Sequence, residues 1–205
     1  IFVICSGSAI ALLPETESCD AIVQAWYPGQ EGGTAVADVL FGDVNPSGKL
    51  SVTFYKSSSQ LPDYEDYSMK GRTYRYFNDP PFAFCYGLSY TSFEIGEASC
   101  EADGDAITVT APVKNTGARK GSETLQLYIR NLQDPDGPLK SLRAFQRVTL
   151  NPGETQAVEL SLGRKSFEFW DPETNTMRTK PGSYEILYGN SSQDKDLKKL
   201  TVTIQ

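Results

Sequence analysis

The feature that most constrains the fold is a change of hydrophobic period near residue 95. From Phe93 onward, apolar residues alternate with more polar neighbours, and turn-forming sequences separate the alternating runs. The runs cover residues 107–113, 125–129, 148–150, 158–162, 184–188 and 200–204. Alternation with a period of two is typical of strands that bury one face, and about seven short strands with frequent turns indicate a β-sandwich. We therefore predict an all-β domain over residues 96–205.

Residues 1–95 follow a different pattern. Short continuous apolar runs at 1–5 and 21–26 suit strands that are buried on both faces of a sheet. Residues 49–55 alternate between apolar and polar types and are predicted to form a third strand.

A helix is predicted between the second and third of these strands. Val36, Val39 and Leu40 fall on one helical face, and Gly42 is suited to end the helix in a left-handed conformation. The first part of the chain is therefore predicted to be an α/β portion, a parallel-type sheet with helices. It is followed by an all-β sandwich of the immunoglobulin or fibronectin type III kind.

The stretch 57–90 is aromatic, polar and irregular, and it is too long for an idle loop. We expect it to join the two domains and to be ordered, because so many aromatic rings are costly to leave in water. We expect most of eight aromatic residues to be buried, namely Tyr64, Tyr67, Tyr74, Tyr76, Phe77, Phe82, Phe84 and Tyr86.

Composition excludes several classes of function. Hydrophobic residues make up 39% of the chain and charged residues 22%, which is typical of a globular protein. The formal net charge is −7 and the basic residues are scattered, so we predict no nucleic-acid partner. No apolar run reaches the roughly 20 residues that a membrane-spanning helix needs. A neutral or weakly polar ligand fits the negative net charge better than a nucleic acid does.

Histidine is absent from the sequence, which removes serine-triad and HExxH chemistry from any mechanism built within this chain. The cysteines have no metal-binding spacing, so no metal is predicted. Buried free thiols are favoured over disulfides for Cys5, Cys19, Cys85 and Cys100, although the sequence does not decide their pairing.

The glycine-rich segment 26–43 combines a strand end, a tight crossing and a helix start. Helix-start amides there could hold an anion or a hydroxyl group. The alternative, which we favour on physical grounds, is that the glycines only allow close packing of helix and strand. A phosphate loop is not supported, because no Lys-Ser or Lys-Thr pair follows Gly33.

Three motifs occur in an order that resembles glycoside hydrolase family 3, especially its β-xylosidase and β-glucosidase branches. They are WYPGQEGGTAVADVLFGD at 26–43 with NPSGKLSVTF at 45–54, GRTYRYF at 71–77, and YGLSYT at 86–91. The later sequences NTG at 115–117, LRAFQRV at 142–148 and PGSY at 181–184 are similar to that family's fibronectin type III-like terminal domain. The resemblance implies that residues 1–95 are the C-terminal half of an α/β sandwich domain.

The resemblance also implies an activity, the hydrolysis of terminal non-reducing β-D-glucose or β-D-xylose from oligosaccharides with retention. Retention needs two carboxyl groups about 5 Å apart. In the family these are an Asp nucleophile in a TIM barrel and a Glu acid/base in the α/β sandwich. Both are expected upstream of Ile1, so no catalytic residue is predicted in this chain, and the isolated chain is predicted to be inactive.

The same resemblance implies the partners. They are the TIM-barrel domain of the same polypeptide and an oligosaccharide bound by the full enzyme. A homodimer with a second copy is an alternative that the sequence leaves open. No cofactor is implied. The expected location is periplasmic or secreted.

Within the chain, the substrate-binding candidates are Arg72, Tyr74 and Tyr76, because aromatic planes suit pyranose faces and a guanidinium bonds hydroxyls. The alternative, which we favour, is a structural hinge. The acidic residues Asp63, Glu65 and Asp66 are interpreted as solvated loop acids, and Glu31 and Asp43 as structural.

Two residues depart from the family pattern. Cys85 stands where the family usually has glycine, and Ser51 where it commonly has proline. If that glycine has a positive φ, Cys85 must strain or shift the turn. Outside this family, the sandwich pattern also allows a non-catalytic carbohydrate-binding or cell-surface module, or a purely structural scaffold.

Overall fold

The computed structural model describes residues 1–11, 18–104 and 106–205, and the chain forms two compact units. Unit 1 consists of residues 1–90 together with 191–193. Unit 2 consists of residues 91–190 together with 194–205.

Unit 1 contains a small parallel β-sheet. Strand β1, Phe2–Ile4, pairs in parallel with β2, Ile22–Gln24. Both lie within the continuous apolar runs that predicted them, and each is shorter than its run. A parallel pair needs a crossover connection, which the interval between the two strands supplies.

One helix of unit 1, α1, spans Gly32–Phe41. Gly42 follows it at φ 83°, a left-handed conformation, and its amide donates to the carbonyl of Val39 at 3.1 Å. A left-handed residue is favourable there because glycine has no Cβ to clash with the preceding turn. The predicted helix and its predicted stop are thus both present.

The prediction of a third strand over residues 49–55 is wrong. The backbone amide of Phe54 donates to Phe82 O at 3.0 Å, and the two residues form an isolated bridge. The Leu50 amide donates to Tyr86 O at 2.9 Å. The backbone of this stretch therefore bonds to an irregular segment of the chain instead of to a neighbouring strand, so no sheet ladder develops.

Unit 2 is built from antiparallel strands. In chain order they are β3 Phe93–Ile95, β4 Ser99–Asp103, β5 Ala106–Asn115, β6 Gly121–Asn131, β7 Ser141–Leu150, β8 Thr155–Leu162, β9 Phe169–Asp171, β10 Thr176–Arg178, β11 Gly182–Gly189 and β12 Leu197–Ile204. One sheet has the order β12-β11-β6-β7. In the other, β5 pairs with β3, β4 and β8, and β9 and β10 form a separate hairpin.

The core of unit 2 follows the period of two that predicted it. On β5 every second residue from Ile107 to Val113 is buried, and Leu125, Leu127 and Ile129 of β6 are fully buried. The alternation breaks on β6, where Gln126 and Tyr128 are also fully buried, and the pairing of β6 with β7 shifts register between Leu127 and Tyr128. The buried aliphatic side chains of β5 and β6 form one continuous hydrophobic cluster with residues of β7, β8 and β11.

Burial is uneven between the units. Among the described residues of unit 1, the buried hydrophobic side chains are Ile4, Phe54 and Ala83. Several large apolar side chains of unit 1 are exposed, among them Tyr27 at 81% and Phe41 at 85%. By its own contacts, unit 1 therefore buries little apolar surface, and unit 2 holds most of the core.

The four cysteines carry no disulfide bond: Cys5 and Cys100 are exposed, and Cys19 and Cys85 are half-buried. The thiols are therefore free, but the expected full burial is wrong. In the described part of the chain, no helix has both the length and the apolar character that crossing a membrane requires.

Candidate functional site

The aromatic segment 57–90 lies entirely within unit 1, and it opens with a capped turn. A 3-10 turn spans Ser58–Gln60, and the hydroxyl of Ser57 accepts a hydrogen bond from the Ser59 amide at 3.2 Å. The amide of Lys56 donates to Gln60 Oε1 at 2.6 Å. Local side-chain bonds of this kind replace a sheet or helix ladder and fix the start of the loop.

Two of the loop carboxylates hold turns. Asp63 Oδ1 accepts from the amide of Glu65 at 2.9 Å, and Asp66 Oδ1 accepts from the amide of Ser68 at 2.8 Å. The bond from the Ser68 backbone, followed by the Ser68 hydroxyl and the charge of Arg72, lowers the pKa of Asp66. A carboxylate stabilised in its charged form is a poor general acid near neutral pH, which applies to the exposed Asp66.

Arg72 closes this part of the loop from the other end. Its Nη2 donates to the backbone carbonyl of Asp63 at 2.9 Å and to that of Asp66 at 3.0 Å. Its own amide donates to Met69 O at 2.9 Å. One guanidinium nitrogen thus joins two backbone carbonyls three residues apart.

The short helix α2, Thr73–Tyr76, begins with a strained residue. Thr73 has φ 56°, which is rare for a β-branched residue. Its amide donates to Tyr55 Oη at 2.8 Å, and its Oγ1 accepts from the Arg75 amide at 3.2 Å. The hydrogen bonds on both sides of Thr73 explain how this conformation is held.

The side chains of α2 pack among aromatic rings. Tyr74 stacks on Phe84, with ring centroids 4.4 Å apart and planes 14° apart. The guanidinium of Arg75 lies 5.7 Å from the ring centre of Tyr76. Arg75 Nε is buried and has no hydrogen-bond partner among the described residues. Phe77 packs against Tyr55 with ring centroids at 4.9 Å.

Six of the eight aromatic residues expected to be buried are half-buried, and two are not. Tyr64 is 89% exposed and Tyr67 is 85% exposed. Both belong to the segment whose backbone is held by Asp63, Asp66 and Arg72, so the turns fix the main chain and leave these rings outside. The expectation of burial was wrong for these two.

The end of the segment interlocks with residues 45–50. Asn45 Oδ1 accepts from the Ser89 hydroxyl at 2.9 Å and from the Tyr90 amide at 2.7 Å. At Gly87, a Cβ would lie 2.3 Å from the carbonyl oxygen of Gly48, so only glycine fits this approach. Two of the sequence motifs are therefore two sides of one contact.

Cys85 adopts φ 62° in this region, and its amide donates to Leu50 O at 2.7 Å. The suspected positive φ is present. The backbone keeps the glycine-type turn and the cysteine carries its strain, instead of the turn shifting.

Sequence reasoning missed two residues that organise this site. Tyr55 supplies a hydroxyl to the strained Thr73, and Asn45 joins the first and third motifs. The signal for Asn45 was its place in an Asn-Pro turn, since Asn side chains bond nearby or facing backbone amides. Tyr55 had no comparable signal.

The polar groups of this segment are largely engaged with its own backbone. In the described ranges there is no group of three or more His, Cys, Asp or Glu side chains that could hold a metal ion. Asp63 and Asp66 are engaged with backbone amides, and Arg72 with carbonyls. The chemistry available is hydrogen bonding and ring stacking.

Two family models match the chain, one on each part. Residues 1–90 match the glycosyl hydrolase family 3 C-terminal domain, and residues 123–192 match a fibronectin type III-like domain. Residues 1–90 are thus a C-terminal domain of glycosyl hydrolase family 3. The resemblance drawn from the motifs is confirmed by these matches.

Two curated proteins align with all or nearly all of the chain. A xylan 1,4-β-xylosidase of Xylanibacter ruminicola is 74% identical over 206 residues, which cover 100% of this chain and 24% of that protein. A periplasmic β-glucosidase of Salmonella typhimurium is 36% identical, over 94% of this chain and 27% of its own length. The chain thus spans about a quarter of the length of these relatives.

A solved structure of the family has the same fold over this length. The β-glucosidase of Kluyveromyces marxianus in complex with glucose superposes with a TM-score of 0.89 at 33% identity, covering 99% of this chain and 26% of that one. The matched relatives are glycoside hydrolases, and this chain corresponds to their C-terminal part.

Proposed function

We propose that the chain is the C-terminal portion of a retaining β-glycosidase that removes terminal glucose or xylose residues from the non-reducing ends of oligosaccharides. The observation that carries the proposal is the pair of family matches, in the order of the family's C-terminal part, on one chain. The relatives that align with the chain are named as β-xylosidases and β-glucosidases.

In this proposal the catalytic pair lies elsewhere in a longer polypeptide. The nucleophilic Asp, in a TIM barrel, and the acid/base Glu precede Ile1. Two observations support this. The relatives are about four times longer than the matched region, and the loop acids Asp63 and Asp66 are engaged in turns. The exposed rings of Tyr27 and Phe41 would then pack against other parts of that polypeptide, including further strands of the parallel sheet.

The role proposed for segment 57–90 is to support the active site from outside it. The guanidinium of Arg72 donates hydrogen bonds to two backbone carbonyls, and Phe84 covers one face of the Tyr74 ring. These contacts favour the structural role over direct sugar binding by Arg72, Tyr74 and Tyr76. The binding role would require Arg72 to give up its bonds or to use its remaining donors.

For the substrate we propose a β-xyloside ahead of a β-glucoside, because the relative at 74% identity is named a xylan 1,4-β-xylosidase. For the location we propose the periplasm or the exterior, supported by the periplasmic relative. The domain limits proposed are 1–95 and 96–205.

The test is a steady-state assay with aryl β-xyloside and aryl β-glucoside, on the isolated chain and on the longer polypeptide that contains it. We expect turnover by the longer polypeptide, faster on the xyloside, and none by the isolated chain. Turnover by the isolated chain that disappears on mutating Asp63, Glu65 or Asp66 would show that the catalytic pair had been misplaced.

A further inference from the structure

The hairpin of β9 and β10 in unit 2 exposes an unusual pair of apolar side chains. Trp170 and Met177 are register partners, and they are 54% and 51% exposed. The residues on either side of Trp170 in β9, Phe169 and Asp171, are buried. A large indole left half in water on a two-stranded hairpin is a feature that the fold of unit 2 does not require.

The hairpin is anchored by a buried carboxylate. Asp171, whose side chain is 1% exposed, accepts from Lys180 Nζ at 3.0 Å, Arg178 Nη1 at 3.3 Å and the Thr174 hydroxyl at 3.0 Å. The hydrogen bond from Lys180 is the main reason that the pKa of Asp171 is lowered. Thr174 in the β9–β10 loop and the cations Arg178 and Lys180 are thus all bonded to the buried carboxylate of Asp171.

Aromatic packing fixes the other side of the hairpin. Phe169 packs against Tyr184 with ring centroids 6.2 Å apart, and the guanidinium of Arg143 lies 5.0 Å from the Phe169 ring centre. The Tyr184 hydroxyl donates to Lys180 O at 2.6 Å. A surface mounted on such contacts is preorganised, which lowers the entropy cost of binding a ligand.

A small cleft of about 160 Å³ opens beside this hairpin. Polar residues from the end of β6, from β10 and from the β10–β11 connection line it together with Trp170. Its lining includes Asn131, Gln133, Asp134, Trp170, Arg178 and Lys180.

Two local features place Gln133 in the cleft. A Cβ on Gly182 would meet Gln133 Oε1 at 2.4 Å, so the glycine is what allows that side chain to lie across the start of β11. The backbone N–H of Gln133 donates to Asn131 Oδ1 at 3.0 Å, which links these two lining residues.

The lining matches the chemistry of a sugar chain. The face of an indole carries negative charge density and attracts the weakly positive C–H groups of a pyranose face. Amide, carboxylate, ammonium and guanidinium groups around it can donate to and accept from hydroxyls. Asp134 and Asp171 balance Arg178 and Lys180 in formal charge, so the cleft does not select an ion.

We propose that this cleft is a non-catalytic binding site for a neutral β-linked oligosaccharide, with one sugar ring stacked on Trp170. The choice of a β-linked sugar rests on the proposed function. The site itself does not, because it is built from unit 2 alone.

The test is isothermal titration of the full chain with xylohexaose and with cellohexaose. We expect binding to at least one of them with a dissociation constant of about 1 mM or tighter. Trp170→Ala should weaken it about tenfold or more, and Trp170→Phe, which keeps an aromatic face, should lose less. Phe145→Ala is the matched control, since Phe145 is another exposed aromatic of unit 2, at 66%, and does not line the cleft.

Three results would overturn the proposal. They are no binding of either sugar at about tenfold higher concentration, equal weakening by the Trp170 and Phe145 variants, and binding confined to acidic oligosaccharides and abolished by salt. Circular dichroism of each variant checks that it is folded, and the wild-type titration stands whether or not a variant folds.

The same variants separate this proposal from the proposed function. In the longer polypeptide, Trp170→Ala should leave hydrolysis of a small aryl β-xyloside unchanged. An inactive longer polypeptide whose chain still binds the hexasaccharide would refute the enzyme assignment and leave the cleft in place.

Discussion

Replacing Arg72 with alanine should loosen the loop that its guanidinium closes. The change removes the two bonds from Nη2 to the carbonyls of Asp63 and Asp66, at 2.9 and 3.0 Å. Hydrogen bonds to a charged group are worth about 1.5–3 kcal/mol each when the partners are buried. Both carbonyls belong to exposed residues that water can reach, so we expect a total loss of about 1–2 kcal/mol in the free energy of opening the loop.

Chymotrypsin cleavage measures that opening directly. Tyr64 and Tyr67 are cleavage sites with exposed rings, and they are unchanged in the variant. When opening is fast relative to cleavage, the cleavage rate follows the population of the open form. A loss of 1–2 kcal/mol therefore predicts cleavage about 5 to 30 times faster.

Lys70→Ala is the matched control, because Lys70 is an exposed cation in the same loop. It should cleave at the wild-type rate, and Arg72→Lys should fall between wild type and Arg72→Ala, because an ammonium lacks the planar fork of donors. In the longer polypeptide, Arg72→Ala should change the melting temperature more than the KM for an aryl xyloside. A large rise in KM at unchanged melting temperature and cleavage rate would refute the structural role and place Arg72 in a sugar-binding pocket.

The remaining predictions concern the two units. Limited proteolysis of the isolated chain should leave a core that begins near residue 93, because unit 2 holds most of the buried apolar surface; a protected fragment 1–90 would contradict this. Acid should destabilise unit 2 through Asp171: its folded pKa is below its unfolded one, so its contribution is present above about pH 4 and is lost as pH falls through the lowered value. Asp171→Asn should flatten that part of the stability profile in an acid titration followed by circular dichroism. Cys85→Gly should raise stability by about 0.5–1 kcal/mol in denaturant unfolding, since relief of strain at φ 62° exceeds the entropy cost of glycine; a destabilised variant would show that the cysteine side chain matters more.

The sandwich was predictable because a strand that buries one face has an apolar residue at every second position. The runs at 107–113 and 125–129 both lie inside long strands, and burial alternates over the first of them, whereas residues 125–129 are all buried. The register shift between Leu127 and Tyr128 was not predictable, since it is set by pairing across strands and leaves no sign in a single run. Gly42 was predictable for a local reason, because a helix stop needs only the conformation of one residue.

Residues 49–55 show where local pattern fails. Their alternation is real, and Phe54 is buried, but the partner of Phe54 is Phe82, which lies in an irregular segment. Alternation reports that one face is covered and does not report what covers it. The exposure of Tyr64 and Tyr67 was missed for the opposite reason, because the hydrogen bonds of Asp63 and Arg72 fix the backbone without burying the rings.

The strained positions of unit 1 bear on the role of the aromatic segment. Thr73 and Cys85 both have positive φ, and Gly87 lies against the carbonyl of Gly48 too closely for any side chain. Strain of this kind persists only where surrounding contacts determine the backbone, and here the Tyr55 hydroxyl and the Leu50 carbonyl bond the two strained residues. A loop whose main chain is determined this closely can hold a shape that a neighbouring site depends on. Segment 57–90 is therefore better suited to position other parts of a glycosidase than to move during its reaction.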